Sequence, residues 1–340
     1  MSNVATVTTA ALHGVLAVDK PSGWTSHDVV AKVRGLLRGA KVGHAGTLDP
    51  AATGVLPVLI GQGTRIAEYL VEWDKEYRAV LRLGATTDTQ DATGQVLETR
   101  PVPTLTVEQV RQAAKAFIGA IEQVPPMYSA IKVAGVPLYR SARAGKAVAR
   151  EARTVTVYEL DISAVVGADV SMRVRCSKGT YIRTLCADLG EALGCGGHLL
   201  SLQRSRVGPF AVEDALSMET VGRLAGEGSL GARLWSLNEA LTGLPILTVD
   251  EPTAARVRHG VAVPWSPAVQ ALVESLGSSP GEQTQDQAAS DLGRDVRIQD
   301  QAGTLVAIGS LPTSILGAGA SSSPASTVRI RKVLDGVASE

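Results

Sequence analysis

The chain has 340 residues, 45% of them hydrophobic, and its formal net charge is zero. This length suits two domains with buried cores, and no apolar run approaches the roughly 20 residues that span a bilayer. The first ten residues lack the charged and apolar regions of a signal peptide. Three cysteines without zinc or disulfide spacing, Cys176, Cys186 and Cys195, predict reduced thiols. We therefore expect a cytoplasmic globular protein that binds neither membrane nor metal.

The zero net charge hides a gradient along the chain. Residues 1–218 carry 24 Lys and Arg against 20 Asp and Glu, and residues 219–340 carry 9 against 13. The segment 125–153 is the most basic, with one acid and six cations: Lys132, Arg140, Arg143, Lys146, Arg150 and Arg153. Its glycines, prolines and tyrosines among cations predict a mobile flap that pairs phosphates and stacks on bases. A solvated surface loop is the alternative.

The N-terminal elements begin with residues 1–12, which have no periodicity and are predicted to be disordered. An apolar strand at 14–19 precedes Lys20 and a Pro-Ser-Gly turn. Apolar spacing then predicts a helix at about 28–37, with Ser26 as its N-cap. Lys20 at the strand end can be aimed at a ligand or can be solvated.

The stretch G-H-A-G-T-L-D-P-A-A-T-G at 43–54 is predicted to be a shaped loop. Three glycines and a proline within twelve residues prevent a regular helix or strand. Pro50 biases Asp49 toward an extended backbone, so the loop presents a carboxylate that can act as a nucleophile. The alternative is an Asx turn in which Asp49 only caps its own backbone.

The next elements are a strand at 55–61, a helix near 64–71 and an alternating strand at 75–84. Alternation places Tyr77 on the apolar face of this strand. There it either contributes its ring to a binding site or is a core residue whose hydroxyl has a hydrogen-bond partner. After a polar loop at 86–94, residues 95–99 are predicted to continue the sheet. An amphipathic helix is predicted at 107–118.

Two alternating strands, 154–162 and 170–176, precede a helix predicted to open at about Thr180. This places Tyr181 and Arg183 in its first turn. Because Arg183 has apolar neighbours and a cation is mildly disfavoured at a helix N-terminus, we expect it to need a carboxylate. Pairing with Asp49 would hold that acid in place and favour its ionised form.

Five segments, taken in order, resemble the bacterial TruB family, the tRNA pseudouridine-55 synthases. The segments are G-V-L-A-V-D-K-P-S-G-W-T-S-H-D, G-H-A-G-T-L-D-P-A-A-T-G-V-L-P-V, D-K-E-Y-R-A-V-L-R-L-G-A-T-T-D-T-Q-D-A-T-G, M-Y-S-A-I-K with L-Y-R-S-A-R-A-G, and C-S-K-G-T-Y-I-R-T-L-C-A-D-L-G. The similarity runs from about residue 13 to 212. Five spaced motifs are specific, whereas one alone would be weak.

The resemblance implies a monomeric enzyme that isomerises one uridine in the T-arm loop of tRNA without a cofactor or metal. It implies that Asp49 is the nucleophile and that Arg183 is its partner. Tyr77 would stack on the flipped base and take part in proton removal. The other implied substrate-binding residues are His44, Tyr181, Leu202 and Lys20, the last matching the lysine that supports the first strand-turn.

The fold implied is the pseudouridine synthase fold, α/β (α+β), with a mixed, mostly antiparallel sheet and flanking helices. Residues 13–244 would form the catalytic domain, with 125–153 as its RNA-binding flap. Residues 245–340 would form a PUA-like β-barrel, interrupted by low-complexity stretches at 277–290 and 317–326. At Gln203–Arg204 the family pattern has two basic residues, so a phosphate contact there is in question.

Three other classes of protein remain open at this point. One is a non-catalytic tRNA-binding or tRNA-folding protein, which would not require Asp49, Tyr77 and Arg183 together. Another is a phosphotransferase with an aspartyl nucleophile, but the sequence has no Gly-rich phosphate loop or magnesium-binding acid pair. A guide-RNA-dependent pseudouridine synthase is the third, and the long basic flap favours the stand-alone enzyme.

Overall fold

A computed structural model describes residues 12–129, 131–133, 135–145, 148–277, 295–311 and 327–334. Of residues 1–12, which are predicted to be disordered, 1–11 lie outside these ranges, as do nearly all of the two low-complexity stretches. The chain forms two compact units. One contains Leu16–Val58 and Leu70–Leu230, and the other contains Met1–Val15, Leu59–Tyr69 and Gly231–Glu340. The domain bounds 13–244 and 245–340 stay a prediction.

The larger unit is built on a ten-stranded mixed sheet. Its strands are β1 (Gly14–Lys20), β2 (Val42–His44), β3 (Thr53–Ile60), β4 (Lys75–Leu83), β7 (Gly119–Gln123), β10 (Arg153–Val166), β11 (Asp169–Cys176), β12 (Gly197–Val207), β13 (Phe210–Ala211) and β14 (Leu216–Ser217). The order is β14-β1-β3-β12-β4-β11-β10-β7, with β2 beside β3 and β13 beside β12. The pairs β1–β14 and β3–β12 are parallel, and β12–β4, β4–β11, β11–β10 and β10–β7 are antiparallel. The predicted fold class is confirmed.

Two small β-ribbons accompany this sheet: β5 (Ala85–Thr87) with β6 (Val96–Thr99), and β8 (Lys132–Val133) with β9 (Val136–Pro137). The helices of the chain up to residue 240 are α1 (Ser26–Leu36), α2 (Ala67–Val71), α3 (Val107–Ala114), α4 (Leu138–Arg143), α5 (Ile182–Ala192), α6 (Met218–Gly226) and α7 (Leu237–Ala240). Short 3-10 helices occupy 61–66, 115–117, 212–214 and 230–233. Among the helices described, none has the length and apolar character needed to cross a bilayer.

The core of the larger unit lies between the sheet and helices α3 and α5. In β4 the side chains alternate as predicted, and the buried set includes Tyr77, Ala79 and Leu81. They pack with Val110 and Ala114 of α3 and with Leu185, Cys186 and Leu189 of α5. Alternating strands and the apolar faces of the helices thus form one buried layer. The three cysteines are free thiols, and all three are buried.

Three local predictions were wrong. The N-cap of α1 is Thr25, which forms a capping box with Asp28, because Ser26 is already helical and buried. Residues 96–99 do not continue the main sheet but pair with β5 in a separate ribbon. Tyr181 has an extended backbone and is the N-cap of α5, so only Arg183 lies in the first turn.

The second unit contains a five-stranded mixed sheet. Its elements are β15 (Ile246–Thr248), α8 (Glu251–Arg258), β16 (Val263–Pro264), α9 (Pro267–Gly277), β17 (Asp295–Gln299), β18 (Leu305–Ser310) and β19 (Thr327–Val333). The strand order is β15-β17-β18-β19-β16. Leu247, Val257, Val296, Ile298 and Val306 are among the residues of its apolar core. The predicted C-terminal β-structure is therefore present.

Candidate active site

The Asp49 loop joins β2 to β3 and is fixed on both sides of the aspartate. The amide of Leu48 donates to Oγ of Ser26 at 2.9 Å, and Leu48 is buried. The amide of Gly23 donates to the carbonyl of Pro50 at 2.9 Å. No backbone amide of the described residues donates to the Asp49 carboxylate, so the loop presents that group and the Asx-turn alternative is wrong.

Lys20 lies beneath this loop. Its ammonium donates to the carbonyls of Pro21 at 2.9 Å, Trp24 at 2.6 Å and Pro50 at 3.1 Å, and the side chain is fully buried. Burial lowers the pKa of Lys20 to about 8. Because three carbonyls accept from its ammonium, the geometry favours support of the loop over contact with a ligand.

Arg183 is the ion-pair partner of Asp49, as predicted. Its Nε lies 3.0 Å from Oδ2 of Asp49, and its Nη2 lies 3.5 Å from Oδ1. The guanidinium also donates to the carbonyls of Thr89 at 3.2 Å and Tyr128 at 2.8 Å. The arginine side chain is 5% exposed, whereas 42% of the Asp49 side chain is exposed. The cation is thus enclosed by protein, whereas a large part of the Asp49 side chain is open to solvent.

Opposing effects act on the protonation of Asp49. Partial burial raises the pKa of the Asp49 carboxyl above its ordinary value, Arg183 opposes this rise, and Asp91 adds to it. Arg183 therefore favours the ionised form, as expected, but burial has the larger effect. Perturbation by burial together with a specific charge partner is characteristic of functional carboxylates.

The loop after β5 supplies the residues that sequence reasoning missed. Oδ2 of Asp91 lies 3.7 Å from Nη1 of Arg183, and the neighbouring Thr89 carbonyl accepts from the same guanidinium. Gln90 between them has φ +62°, and its carbonyl accepts from the amide of Leu199 at 3.0 Å. In the sequence Asp91 is only an acid in a polar loop. Its closeness to Arg183 could not be predicted, because it depends on the contact between this loop and β12.

Tyr77 is a buried ring next to a buried cation. It is 8% exposed, and burial raises its pKa to about 12. Arg204, directly opposite on β12, is 1% exposed, and its charge acts on the Tyr77 hydroxyl. Because Arg204 is enclosed by protein, the phosphate contact questioned at Gln203–Arg204 does not involve this side chain.

Tyr181 is the second tyrosine near Asp49, and the Asp49 charge acts on its hydroxyl. The side-chain amide of Gln123 fixes its backbone, accepting from the Tyr181 amide at 3.0 Å and donating to its carbonyl at 3.3 Å. Leu202 lies opposite Ala79 on β4, and it lines a cavity of about 670 Å³ together with Ala51 of the Asp49 loop.

His44 precedes the Asp49 loop at the end of β2. Its ring contacts His27 edge-on with centroids 5.5 Å apart, and burial, with a smaller effect from His27, lowers its pKa to about 4. Nδ1 of His44 has no hydrogen-bond partner within the described part of the chain. The imidazole is therefore uncharged at neutral pH and has one unpaired ring nitrogen.

The basic segment is described only in part. Arg140, Arg150 and Arg153 are exposed, and Nη1 of Arg150 donates to the carbonyl of Pro125 at 2.9 Å. Lys146 and the side chains of Lys132 and Arg143 lie outside the described residues. The RNA-binding role of all six stays a prediction.

Two solved complexes contain a chain that is similar in structure to this one. "Crystal Structure of a Cbf5-Nop10-Gar1 Complex" includes a chain that matches with a TM-score of 0.69 and 28% identity, over 95% of this chain and 85% of that one. A chain in "Structure of H/ACA RNP bound to a substrate RNA containing 2'-deoxyuridine" matches with a TM-score of 0.67 and 25% identity, over 95% and 85%. This chain thus shares its fold with a chain of each complex.

Sequence relatives are closer. The family model "TruB family pseudouridylate synthase (N terminal domain)" matches residues 34–182, and "tRNA pseudouridylate synthase B C-terminal domain" matches 183–242. A tRNA pseudouridine synthase B of Ralstonia pickettii is 47% identical over 257 residues, covering 74% of this chain and 80% of the relative. That of Geobacter sulfurreducens is 48% identical over 250 residues, covering 74% and 82%. The chain belongs to the TruB family of pseudouridylate synthases.

Proposed function

We propose that this chain isomerises uridine 55 in the T-arm loop of tRNAs to pseudouridine, with Asp49 as the nucleophile on a flipped-out uridine. The observation that carries the proposal is the ion pair of Asp49 with the buried Arg183. A partly exposed carboxylate whose counterion is buried and held by further hydrogen bonds suits nucleophilic attack. The relatives' name, tRNA pseudouridine synthase B, supports tRNA as the substrate.

The chemistry demands a site that detaches uracil, rotates it and reattaches it through C5 in place of N1. The free base must be retained and kept from water during this sequence. In the proposed enzyme Tyr77 and Tyr181, on whose hydroxyls the Asp49 charge acts, would contact the base, and Leu202 would form an apolar wall. No residue has to supply redox or metal chemistry, and the proposed enzyme uses no cofactor.

Access to the base requires that uridine leave the folded tRNA loop. We assign His44 to the place that the base vacates, because its uncharged ring can stack on neighbouring bases. Lys20 supports the Asp49 loop from below. The cations of the 125–153 segment would pair with tRNA phosphates, in a monomeric cytoplasmic enzyme.

The test is tritium release from C5-labelled uridine in an unmodified tRNA transcript, with tRNA binding measured in parallel. We expect wild type to release tritium without added RNA or protein, and Asp49→Asn to bind tRNA without releasing tritium. The control, Asp214→Asn, changes an exposed carboxylate outside the site and should act as wild type. Release by Asp49→Asn would remove Asp49 from the role of nucleophile.

The same assay separates the other candidates. A wild-type protein that binds tRNA and releases nothing would be a binder or folding protein. Release that appears only with a guide RNA and partner proteins would make the chain a guide-dependent synthase. We favour the stand-alone enzyme because the bacterial relatives named for tRNA are 47–48% identical, whereas the matching chains of the Cbf5-Nop10-Gar1 and H/ACA RNP complexes are 25–28% identical.

A further inference from the structure

Gln123 is a buried residue whose side chain holds the backbone of another element. Its Oε1 accepts from the amide of Tyr181 at 3.0 Å, and its Nε2 donates to the Tyr181 carbonyl at 3.3 Å. Gln123 is 2% exposed. A side-chain amide has both a donor and an acceptor, and here it uses both on one residue. The two contacts together fix the distance and the orientation of the Tyr181 backbone.

The turn that Gln123 holds has no side-chain cap of its own. Tyr181 is the N-cap of α5, but its side chain makes no capping hydrogen bond. Most N-caps are Ser, Thr, Asp or Asn, whose side chains bind the first free amides of the helix. The entry of the chain into α5 is therefore fixed from β7, through Gln123. Arg183 follows in the first turn, where its Nε lies 3.0 Å from Oδ2 of Asp49.

Gln123 is itself anchored at the base of the basic segment. It is the last residue of β7 and lies opposite Arg153 on β10, so the basic segment leaves and rejoins the sheet beside it. Five residues after Gln123, the carbonyl of Tyr128 accepts from Nη2 of Arg183 at 2.8 Å. The same piece of chain therefore holds the α5 turn at its backbone and at its guanidinium.

We propose that Gln123 is a positioning residue, which fixes the start of α5 so that Arg183 is aligned on the Asp49 carboxylate. The inference rests on the proposed function and deepens it, because it adds a residue that acts through Arg183. Charge-assisted hydrogen bonds depend on distance and angle, so the pair needs a fixed geometry. Without the two contacts of Gln123 the first turn of α5 is free to shift, and Arg183 shifts with it.

The experiment measures tRNA affinity and single-turnover tritium release, with enzyme in saturating excess, for wild type and Gln123→Met. Methionine is similar in length to glutamine and removes both hydrogen bonds. We expect release to slow about 10- to 100-fold, as for a misplacement of about 1 Å, with affinity within about 3-fold of wild type. A smaller folded fraction alone would leave this rate constant unchanged. Gln112→Met makes the same change at an exposed position of α3, and this control should keep the wild-type rate.

A double-mutant cycle with Arg183→Lys tests the route of the effect. If Gln123 acts through Arg183, Gln123→Met should slow release less than about 3-fold in the Arg183→Lys background. Effects that multiply in the double variant would overturn the inference. A wild-type rate in Gln123→Met, or a parallel loss of tRNA affinity, would also overturn it. If wild type itself releases no tritium, the proposed function fails and the inference with it.

Circular dichroism checks folding first. If Gln123→Met does not fold, an ester in place of the Tyr181 amide removes the N–H that Gln123 accepts and leaves every side chain in place. The ester should slow release about 3- to 10-fold, the loss of one neutral hydrogen bond. A wild-type rate with the ester would overturn the inference. So would an ester protein that does not fold, because Gln123 would then serve the fold alone.

Discussion

Gly54 is predicted to be irreplaceable because two strands meet at its α-carbon. It lies in the parallel contact between β3 and β12, directly opposite Arg204, and its φ is +100°. A Cβ built there would lie 2.2 Å from the Arg204 carbonyl oxygen and 2.7 Å from its amide nitrogen. Both are backbone atoms, so they can yield only if the strands separate.

The loss of folding stability expected for Gly54→Ala is the sum of two separate free-energy costs. A positive φ costs an L-residue roughly 1–2 kcal/mol, and overpacking a rigid contact adds about 1–3 kcal/mol. Gly54→Ala should therefore destabilise the fold by about 2–5 kcal/mol. Gly39 is the matched control, because its φ is +85° and nothing lies within 4 Å of its Cβ position. Gly39→Ala should cost only the first part, about 1–2 kcal/mol.

The assay is urea unfolding followed by circular dichroism, comparing midpoints at matched slopes. The informative quantity is the difference between the two variants, since the backbone strain is common to both. Equal midpoints for Gly54→Ala and Gly39→Ala would refute the reasoning, because the contact with Arg204 would then cost nothing. A larger loss for Gly54→Ala should be accompanied by slower tritium release, because the displaced strand carries Arg204.

Three further predictions concern the site and the thiols. Arg183→Lys should slow tritium release at least about 10- to 100-fold at unchanged tRNA affinity, because an ammonium cannot replace the guanidinium's contacts; a wild-type rate would contradict this. If activity needs ionised Asp49, it is lost as the pH falls through the raised pKa of that carboxyl, and Asp91 contributes to the rise. Asp91→Asn should therefore move the acidic midpoint of the pH–rate profile to lower pH, and a move to higher pH would contradict this. Ellman's reagent should find unreactive thiols in the native protein and three after unfolding, because burial raises their pKa: Cys176, Cys186 and Cys195.

Local pattern was enough to predict the elements that carry the site. Alternation along β4 placed Tyr77 on the buried face, and the apolar neighbours of Arg183 indicated that it needs a carboxylate. The Gly and Pro content around Asp49 predicted a presented loop. These inferences succeed because strand and helix periodicity are local properties of the chain.

The features that sequence could not show depend on distant contacts. Asp91 reaches Arg183 only because the loop pairs with Leu199 across about a hundred residues. The sequence left a phosphate contact at Gln203–Arg204 in question, and the register of β12 with β4 and β3 buries Arg204 against carbonyl oxygens. Ser26 looked like a helix cap but bonds Leu48, because the loop occupies the adjacent space.

The cations around Asp49 have different roles. Lys20 and Arg204 are buried and donate to carbonyl oxygens, which fixes the loop without neutralising their charges. Arg183 alone among the described cations pairs with Asp49. Because carbonyl contacts leave the positive charge uncancelled, Lys20 also lowers the pKa of Asp49 and adds to a local potential that favours the carboxylate. Lys20 thereby both holds the loop and opposes the effect of burial on the Asp49 carboxyl.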